Sequence, residues 1–513
     1  MPRDRAQSNG RPRIPKNMRA LHPPVPIHVL PDFGVVHMGY EGAKPCVNAP
    51  FCKRQVYHGD CRKHATADGS VILAHNEDWG EFEEPLRWHP RKQHMAGETL
   101  TLRTGLVLEQ VPETYGYLLP AASCNGINEF QVMITDNSGS CRKEMVRRET
   151  GIEMADLVAV ALQRSKTARA AVQTMGQLID RFGYRCVDGP GGDIFSVADP
   201  SEGWWMEVTT AGPWVARRVP DDAFVVIANR FRIESIDLDD PIQFLASSNI
   251  VSYAKDRGWF DPTLGQFKFA QVYSAQRAES ARREWRGNLL LGGGAQNPAE
   301  SRLAVVPVKK LQPQDLMAFL RDHYEGTGGD GSPVATNGSP HRTSERSICA
   351  TYTDASTVAH LRGWLPHPVA GLVWLAVGTP CSGVFTPIYV GTSEFPRPYA
   401  SVTEKYDPGN AYWVFNALEN LVDRNYRERG ASLGGGVKKG DDSVHELVAG
   451  FWKLRENEAF GMQAAVEKTA SELLQKDEGL AKALLSTYTQ MMALQRFEEA
   501  RDLLDELRTR HER

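Results

Sequence analysis

The feature that most constrains the fold is a pair of amphipathic helical segments between two blocks of strand-like sequence. Residues 153–182 carry apolar side chains at helical spacing, and the polar stretch Ser165-Lys166-Thr167 predicts a break between two helices. Short apolar runs typical of strands lie on both sides, at residues 71–73, 99–111, 115–119, 130–134, 194–197, 204–208 and 225–227. Strands, two helices and strands again predict a layered α+β fold.

The composition is that of an ordinary globular protein. The chain has 513 residues, of which 41% are hydrophobic and 24% charged, and this excludes a mainly disordered, collagen-like or coiled-coil chain. A net charge of -4 argues against nucleic acid as the main partner. No apolar run approaches the ~18 residues that a membrane helix needs. We therefore expect neither a nucleic-acid nor a membrane partner, and the sequence leaves open whether the chain forms homo-oligomers.

The ends of the chain differ from its middle. Residues 1–51 are rich in proline and arginine, lack the apolar stretch of a signal peptide, and are expected to be a disordered extension or a propeptide. A catalytic domain is expected over 52–440, followed by a helical region over 441–513 whose leucines form apolar stripes. Eight cysteines are too sparse for a disulfide scaffold, so the expected location is the cytoplasm.

A turn, a buried strand and a polar cluster follow one another at residues 67–79. An Asp-Gly pair predicts the turn, and the apolar run 71–73 predicts the strand. His75, Asn76 and Asp78 come at the end of that strand. Imidazole, amide and carboxylate groups at a strand end can build a functional site on a rigid support.

This segment resembles the second strand of the N-terminal-nucleophile cysteine dipeptidases, the PepD-like family, which is related to secernins and to the penicillin V and bile salt amidases. That family reads Asp-Gly-Ser, an apolar strand and then Ala-Arg-Asn-x-Asp-Trp. Further matches follow in the same order at residues 109–112, 126–129, 198–200, 218–222, 236–241, 320–327, 346–349 and 411–413. The resemblance implies a four-layer αββα sandwich, to which the C-terminal helical region is an extension.

The resemblance also implies an amide hydrolase that acts on dipeptides or small peptides. In that chemistry, removal of a propeptide exposes a cysteine whose own α-amine serves as the base for its thiol. The thiolate attacks the amide carbonyl, and N–H donors stabilise the oxyanion, without a metal or another cofactor. The alternative, from a different class, is a non-catalytic binding or regulatory protein of the secernin kind, because a fold alone does not decide a function.

Three catalytic residues besides the nucleophile are implied by the resemblance. Asp78 is expected to contact the amine of the nucleophile and to fix its position. Asn128, in Gly-Ile-Asn-Glu, matches an oxyanion-hole amide, and Asn229 matches a second active-site asparagine. On the sequence alone, turn or cap amides would explain both asparagines equally well.

The substrate-binding residues are expected to be His75, Asn76 and Arg282. The family carries an arginine before Asn76, whereas this chain has His75, so the fixed fork of a guanidinium is lost there. Either Arg282 or Arg283 matches a further active-site arginine of the family, and Arg282 is the one chosen.

The nucleophile does not stand where the family's hairpin length puts it, since counting back from Asp68 reaches Val56. A strand rises about 3.3 Å per residue, so Cys61 would stop roughly 16 Å short of the strand end that bears Asp78. Cys52 requires only extra residues bulged or looped within the hairpin. We therefore prefer Cys52 to Cys61, and a third alternative is that no nucleophile remains.

A zinc site is a rival interpretation of the same stretch. Cys46, Cys52, His58, Cys61 and His64 include enough ligands for a four-coordinate ion. The stretch lacks the Cys-x-x-Cys pair typical of such sites, so no metal is expected.

Overall fold

The computed structural model describes residues 35–38, 65–78, 86–120, 125–187, 191–275, 278–294, 302–329, 339–341, 346–392, 394–400, 403, 405–426 and 443–511. All of them belong to one compact unit, Pro31–Arg513. Among these residues, no helix combines the length and the apolar character that crossing a membrane requires.

Strands and helices are numbered in chain order. The strands are β1 Val35–Met38, β2 Val71–Glu77, β3 Arg87–His89, β4 Lys92–Gln93, β5 Thr99–Thr101, β6 Val107–Glu109, β7 Glu113–Thr114, β8 Tyr117–Leu119, β9 Gly126–Asn128, β10 Met133–Gly139, β11 Gly192–Ala198, β12 Gly203–Thr209, β13 Trp214–Arg218, β14 Phe224–Ile227, β15 Phe244–Ala246, β16 Ala304–Val305, β17 Ala355–Leu361, β18 Leu372–Val377 and β19 Thr386–Tyr389. The helices are α1 Met154–Arg164, α2 Ala168–Phe182, α3 Ser252–Asp256, α4 Phe269–Tyr273, α5 Ala278–Gly292, α6 Pro313–Leu320, α7 His367–Ala370, α8 Ala411–Arg424, α9 Val444–Leu474 and α10 Glu478–His511. The chain is therefore a mixed α and β protein.

Most strands form two antiparallel sheets. One has seven strands in the order β16-β14-β1-β2-β17-β18-β19, and the other has eight in the order β15-β13-β12-β11-β10-β9-β8-β3. Strand β2 is central in the first sheet, and its side chains alternate between two cores. Val71 and Leu73 join a core shared with the second sheet, whereas Ile72 and Ala74 join a core with α6. Because both faces are covered, the strand reads as a continuous apolar run.

The predicted helical pair and its break are confirmed as α1 and α2. Ser165 ends the first helix, and the Thr167 side chain caps the second by accepting a hydrogen bond from the Ala170 N–H at 3.1 Å. The second helix ends at Gly183, where φ is +77°. The buried faces of both helices pack on the second sheet.

The two long C-terminal helices pack on the outer strands of the first sheet. Phe460 of α9 stacks on Trp374 of β18 with 3.9 Å between the ring centroids. Glu467 of α9 accepts a hydrogen bond from the Tyr389 hydroxyl at 2.8 Å and pairs with the buried Arg362 guanidinium at 2.5 Å. Residues 443–511 thus form part of the same compact unit as the sheets.

Two predicted strands differ in detail from the structure. The boundary at residue 52, between the predicted extension and the catalytic domain, stays a prediction. Residues 99–111 form the hairpin β5–β6 rather than one strand. The strand predicted at 130–134 begins only at Met133, because Gln131 adopts φ +63° in a turn. Strand β1 lies before residue 52, beside β2, so part of the predicted extension belongs to the first sheet.

Candidate active site

Asn76 stands near the end of β2 and fixes two neighbouring loops. Its Nδ2 donates hydrogen bonds to the carbonyls of Leu320 and Ile348, at 3.0 and 3.1 Å. Its Oδ1 accepts a hydrogen bond from the Ser356 hydroxyl of β17 at 2.5 Å. These contacts engage both ends of the amide, so the geometry favours a positioning role for Asn76, and the substrate contact stays a prediction.

Asp78 follows β2 and is a buried carboxylate held by two donors. Arg346 approaches Oδ2 at 2.6 Å, and the Thr353 hydroxyl donates to Oδ1 at 2.6 Å. Burial raises the pKa of the Asp78 carboxyl, while Thr353 and the nearby charge of Arg283 favour its ionised form. A carboxylate in this setting can bind an ammonium group strongly, because little water competes for it.

Asn229 and Arg283 form a pair beside the same end of the sheet. Asn229 lies two residues after β14, and its Nδ2 donates to the carbonyl of Ser138 in β10 at 2.9 Å. Its Oδ1 accepts a hydrogen bond from the Arg283 guanidinium of α5 at 2.8 Å. We call Asp78, Asn229, Arg283 and Arg346 the Asp78 cluster. It combines a carboxylate, an amide and two guanidinium groups.

A second pair explains why Arg283, and not Arg282, reaches this cluster. The next residue on α5, Glu284, accepts hydrogen bonds from both sides of the Arg230 fork, and Arg230 follows Asn229 directly. Two consecutive residues of α5 thus pair with two consecutive residues after β14. Arg283 is only 1% exposed, whereas Arg282 stays partly exposed. The geometry therefore favours Arg283 over the predicted Arg282 as the arginine of this cluster.

Asn128 is not part of the Asp78 cluster. Its Nδ2 donates to the carbonyls of Leu162 and Ser165, at 2.9 and 2.7 Å, and so ties the turn after β9 to the end of α1. Its Oδ1 accepts hydrogen bonds from the N–H groups of Phe130 and Val132, both at 3.0 Å. Every donor and acceptor of this amide is engaged inside the protein, so the geometry favours a turn amide over an oxyanion-hole donor.

His75 is buried and neutral. Its side chain is 1% exposed and hydrogen bonds to the backbone of Asp136, and burial lowers its pKa to about 3. It therefore does not replace the positive charge of the family's arginine. Cys52 and Cys61, the two candidate nucleophiles, lie outside the described residues.

The sequence profile of Peptidase family C69 matches residues 61–434, most of the chain. The chain belongs to peptidase family C69. The probable dipeptidase of Latilactobacillus sakei is 26% identical over 386 residues, which cover 71% of this chain and 80% of that one. The probable dipeptidase B of Lactococcus lactis subsp. lactis is 26% identical over 457 residues, or 84% and 92% of the two chains. Dipeptidase A of Lactobacillus helveticus is 22% identical over 396 residues, or 72% and 82%.

Two solved structures are also similar, at 13% sequence identity each. Penicillin V acylase from Agrobacterium tumefaciens covers 70% of this chain and 86% of its own, with a TM-score of 0.28. A conjugated bile acid hydrolase from Clostridium perfringens covers 73% and 97%, with a TM-score of 0.26.

Two members of the site region were missed by the sequence reasoning. Arg346 lies in the Arg-Ser-Ile-Cys match to the family, so its position was available but its role was not. Thr353 carries no signal in the sequence, because only the pairing of β17 with β2 brings it to Asp78.

Proposed function

We propose that this member of family C69 is a dipeptidase that hydrolyses dipeptides or small peptides with an N-terminal cysteine nucleophile. Relatives named as dipeptidases align with most of the chain, which supports the substrate class. The observation that carries the proposal is the Asp78 cluster, in which a buried carboxylate lies at a strand end near an asparagine–arginine pair.

The role of Asp78 is to hold the α-amine of the nucleophile. An unperturbed α-amine has a pKa of about 7.7–8.0, so a neutral amine is accessible near neutral pH and can take the thiol proton. The thiolate attacks the peptide carbonyl carbon, and the tetrahedral intermediate expels the leaving amine, which takes that proton. Water then attacks the thioester, the carboxylic acid leaves, and the thiol regains its proton.

Asn229 is the proposed donor to the oxyanion. Among the described residues, one of its two N–H groups is bonded to the Ser138 carbonyl, and its oxygen is held by Arg283. The orientation of the amide is therefore fixed before the substrate arrives, which is what electrostatic stabilisation of an oxyanion requires. Arg283 acts here as a positioning residue.

The fold proposed for this activity is the four-layer αββα sandwich with a C-terminal helical extension. The apolar side chains shared by the two sheets, and the packing of α1 and α2 on one sheet and α6 on the other, support that layer order.

A cytoplasmic location is proposed for the protein. None of the four described cysteines forms a disulfide, in keeping with a reducing compartment.

The proposed nucleophile is Cys52, in preference to Cys61. The domain boundary at residue 52 would then be the processing site. Cleavage there would release β1 with the propeptide, so the new N-terminal segment would have to take the place of β1 between β14 and β2. The family profile begins to match at Cys61, so that residue is the direct competitor. The mass of the mature chain distinguishes a start at Cys52 from a start at Cys61.

The test compares Cys52→Ala and Cys61→Ala with Cys46→Ala, a matched control in the same stretch. Release of free amino acids from a dipeptide should be abolished by Cys52→Ala and retained in the two other variants. If Cys61→Ala alone abolishes hydrolysis, the cysteine assignment is wrong but the function stands. If the natural chain keeps Met1 and hydrolyses no dipeptide, the non-catalytic secernin-like binding role replaces the enzyme.

A further inference from the structure

Two histidines and two cysteines that the proposed cysteine chemistry does not use meet in the core. His323 follows α6, His341 lies in the segment 339–341, Cys349 precedes β17, and Cys381 lies in the turn between β18 and β19. One ligand atom from each of the four residues lies within 4.8 Å of all the others. We propose that these four side chains bind a divalent metal ion of the zinc class, in a structural site.

The distances from His341 to the other three ligand atoms are close to those of tetrahedral coordination. The His341 Nε2 lies 3.0 Å from the His323 Nε2 and 3.6 Å from the sulfur of Cys349 and of Cys381. Zinc bonds of about 2.0–2.1 Å to nitrogen and 2.3 Å to sulfur predict about 3.3 Å between two nitrogens and about 3.6 Å between nitrogen and sulfur. These three separations thus differ from the tetrahedral values by only a few tenths of an ångström.

Both imidazoles are oriented as metal ligands usually are. His323 Nδ1 hydrogen bonds to Glu325 at 2.8 Å, and His341 Nδ1 hydrogen bonds to Asp423 at 2.9 Å. The Ser339 hydroxyl donates to the other oxygen of Asp423 at 2.8 Å. A carboxylate on Nδ1 fixes the tautomer in which Nε2 carries the lone pair, the arrangement common around zinc.

The two Nε2 atoms, which lie 3.0 Å apart, then face each other lone pair to lone pair. Two acceptors at that distance repel each other unless a proton or a cation lies between them. Both histidine side chains are only 1% exposed, Cys349 is fully buried, and Cys381 is 5% exposed. A metal ion bound by two thiolates satisfies all four groups at once, and the S₂N₂ set favours zinc over magnesium or calcium.

A cavity reaches the cluster, and an ion bound there would join separate segments of the chain. A cavity of about 440 Å³ is lined by His323, Cys381 and His445, among other residues, and so reaches two of the ligands. The four ligands come from four separate segments of the chain. A metal ion would join them much as a structural zinc ion joins loops that have little apolar core of their own.

The experiment is metal analysis of the purified full-length chain, with about one zinc ion per chain expected. Cys349→Ser and Cys381→Ser should lose the ion, whereas Cys186→Ala, a control at an equally buried cysteine outside the cluster, should keep it. Asp423→Asn should weaken zinc binding about 10–100-fold, because it removes the carboxylate behind His341.

Two further measurements complete the test. The first uses only the natural chain, so it does not depend on the folding of a variant, and the second tests the rival zinc site near the N-terminus. In the natural chain, a chelator should remove the ion and lower the melting temperature, and added zinc should restore the melting temperature. Co²⁺ should give the visible spectrum of a tetrahedral thiolate site.

A chain with Cys46, Cys52 and Cys61 all changed to serine should keep its zinc. Loss of zinc from that chain would place the ion near the N-terminus and overturn the proposal. A natural chain that binds neither Zn²⁺ nor Co²⁺ would instead show an imidazolium–thiolate cluster without metal.

Discussion

The protein should lose stability when the pH falls from about 7 to about 5. Replacing His75 with asparagine should make that loss about 2 kcal/mol smaller. Burial lowers the folded-state pKa of His75 to about 3, whereas a histidine in an unfolded chain titrates near about 6.5. A group with a depressed folded pKa contributes stability above its unfolded pKa. That stability is lost as the pH falls, because the unfolded chain takes up a proton that the folded chain does not.

The magnitude follows from the distance between the pH and the unfolded pKa. At about pH 5 the unfolded chain has gained about 2 kcal/mol from protonation of this one histidine, and at about pH 7 only about 0.2 kcal/mol. The folded chain gains almost nothing in the same range, because pH 5 lies well above the folded pKa of His75. Asparagine keeps a short side chain with an N–H donor for the Asp136 backbone but does not titrate.

The assay is urea unfolding of the natural chain, of His75→Asn and of His367→Asn, at both pH values. His367 is exposed and serves as the matched control, so its variant should follow the natural chain. The His75 variant should lose about 2 kcal/mol less than either of them on acidification. Equal losses in all three proteins would mean that the folded protein protonates His75, and the argument from burial would fail.

Three further outcomes are expected. Asn229→Ala should lower dipeptide hydrolysis about 100–1,000-fold with little change in melting temperature, whereas Asn128→Ala should lower the melting temperature and leave the hydrolysis rate of the folded molecules unchanged. Glu467→Ala should cost about 3–5 kcal/mol in urea unfolding because it leaves a buried guanidinium unpaired, while Glu472→Ala, exposed on the same helix, should cost almost nothing. A chain truncated before residue 442 should be insoluble, because the outer face of the first sheet would be exposed, and a soluble active truncation would contradict this.

The elements that could be predicted from the sequence are those set by local chemistry. The Asp-Gly turn is confirmed by Gly69 with φ +80°, and β2 follows it as predicted. The break between α1 and α2 is marked by Thr167, whose side chain caps the second helix. Each of these signals acts within a few residues, so no knowledge of the tertiary structure is needed.

The roles of the site residues stay predictions, because they depend on long-range contacts that the sequence does not carry. Ordered matches to a family pointed to Asp78 and Asn229, which the structure brings into one cluster. They could not show that the donors and acceptors of the Asn128 amide are already hydrogen-bonded within the protein. Nor could they choose between Arg282 and Arg283, since that choice depends on which side of α5 faces the segment after β14.

The four residues of the proposed metal site were equally out of reach. Cys349 and Cys381 are separated by 32 positions, and the two histidines by 18, so no short motif links them. In the sequence, the cysteines that stand close together are Cys46, Cys52 and Cys61, near the N-terminus. Proximity in the fold, and not spacing in the chain, assembles this cluster.

The proposed metal site and the proposed catalytic carboxylate share one stretch of chain. Arg346 and Thr353 both reach Asp78, and Cys349 lies between them. Asn76, two residues before Asp78, binds the carbonyl just before Cys349. An ion in the cluster would therefore restrain the donors that hold the carboxylate, although it touches no reacting atom. Hydrolysis should then depend on zinc through the position of the nucleophile's amine, even though the cysteine chemistry itself requires no metal.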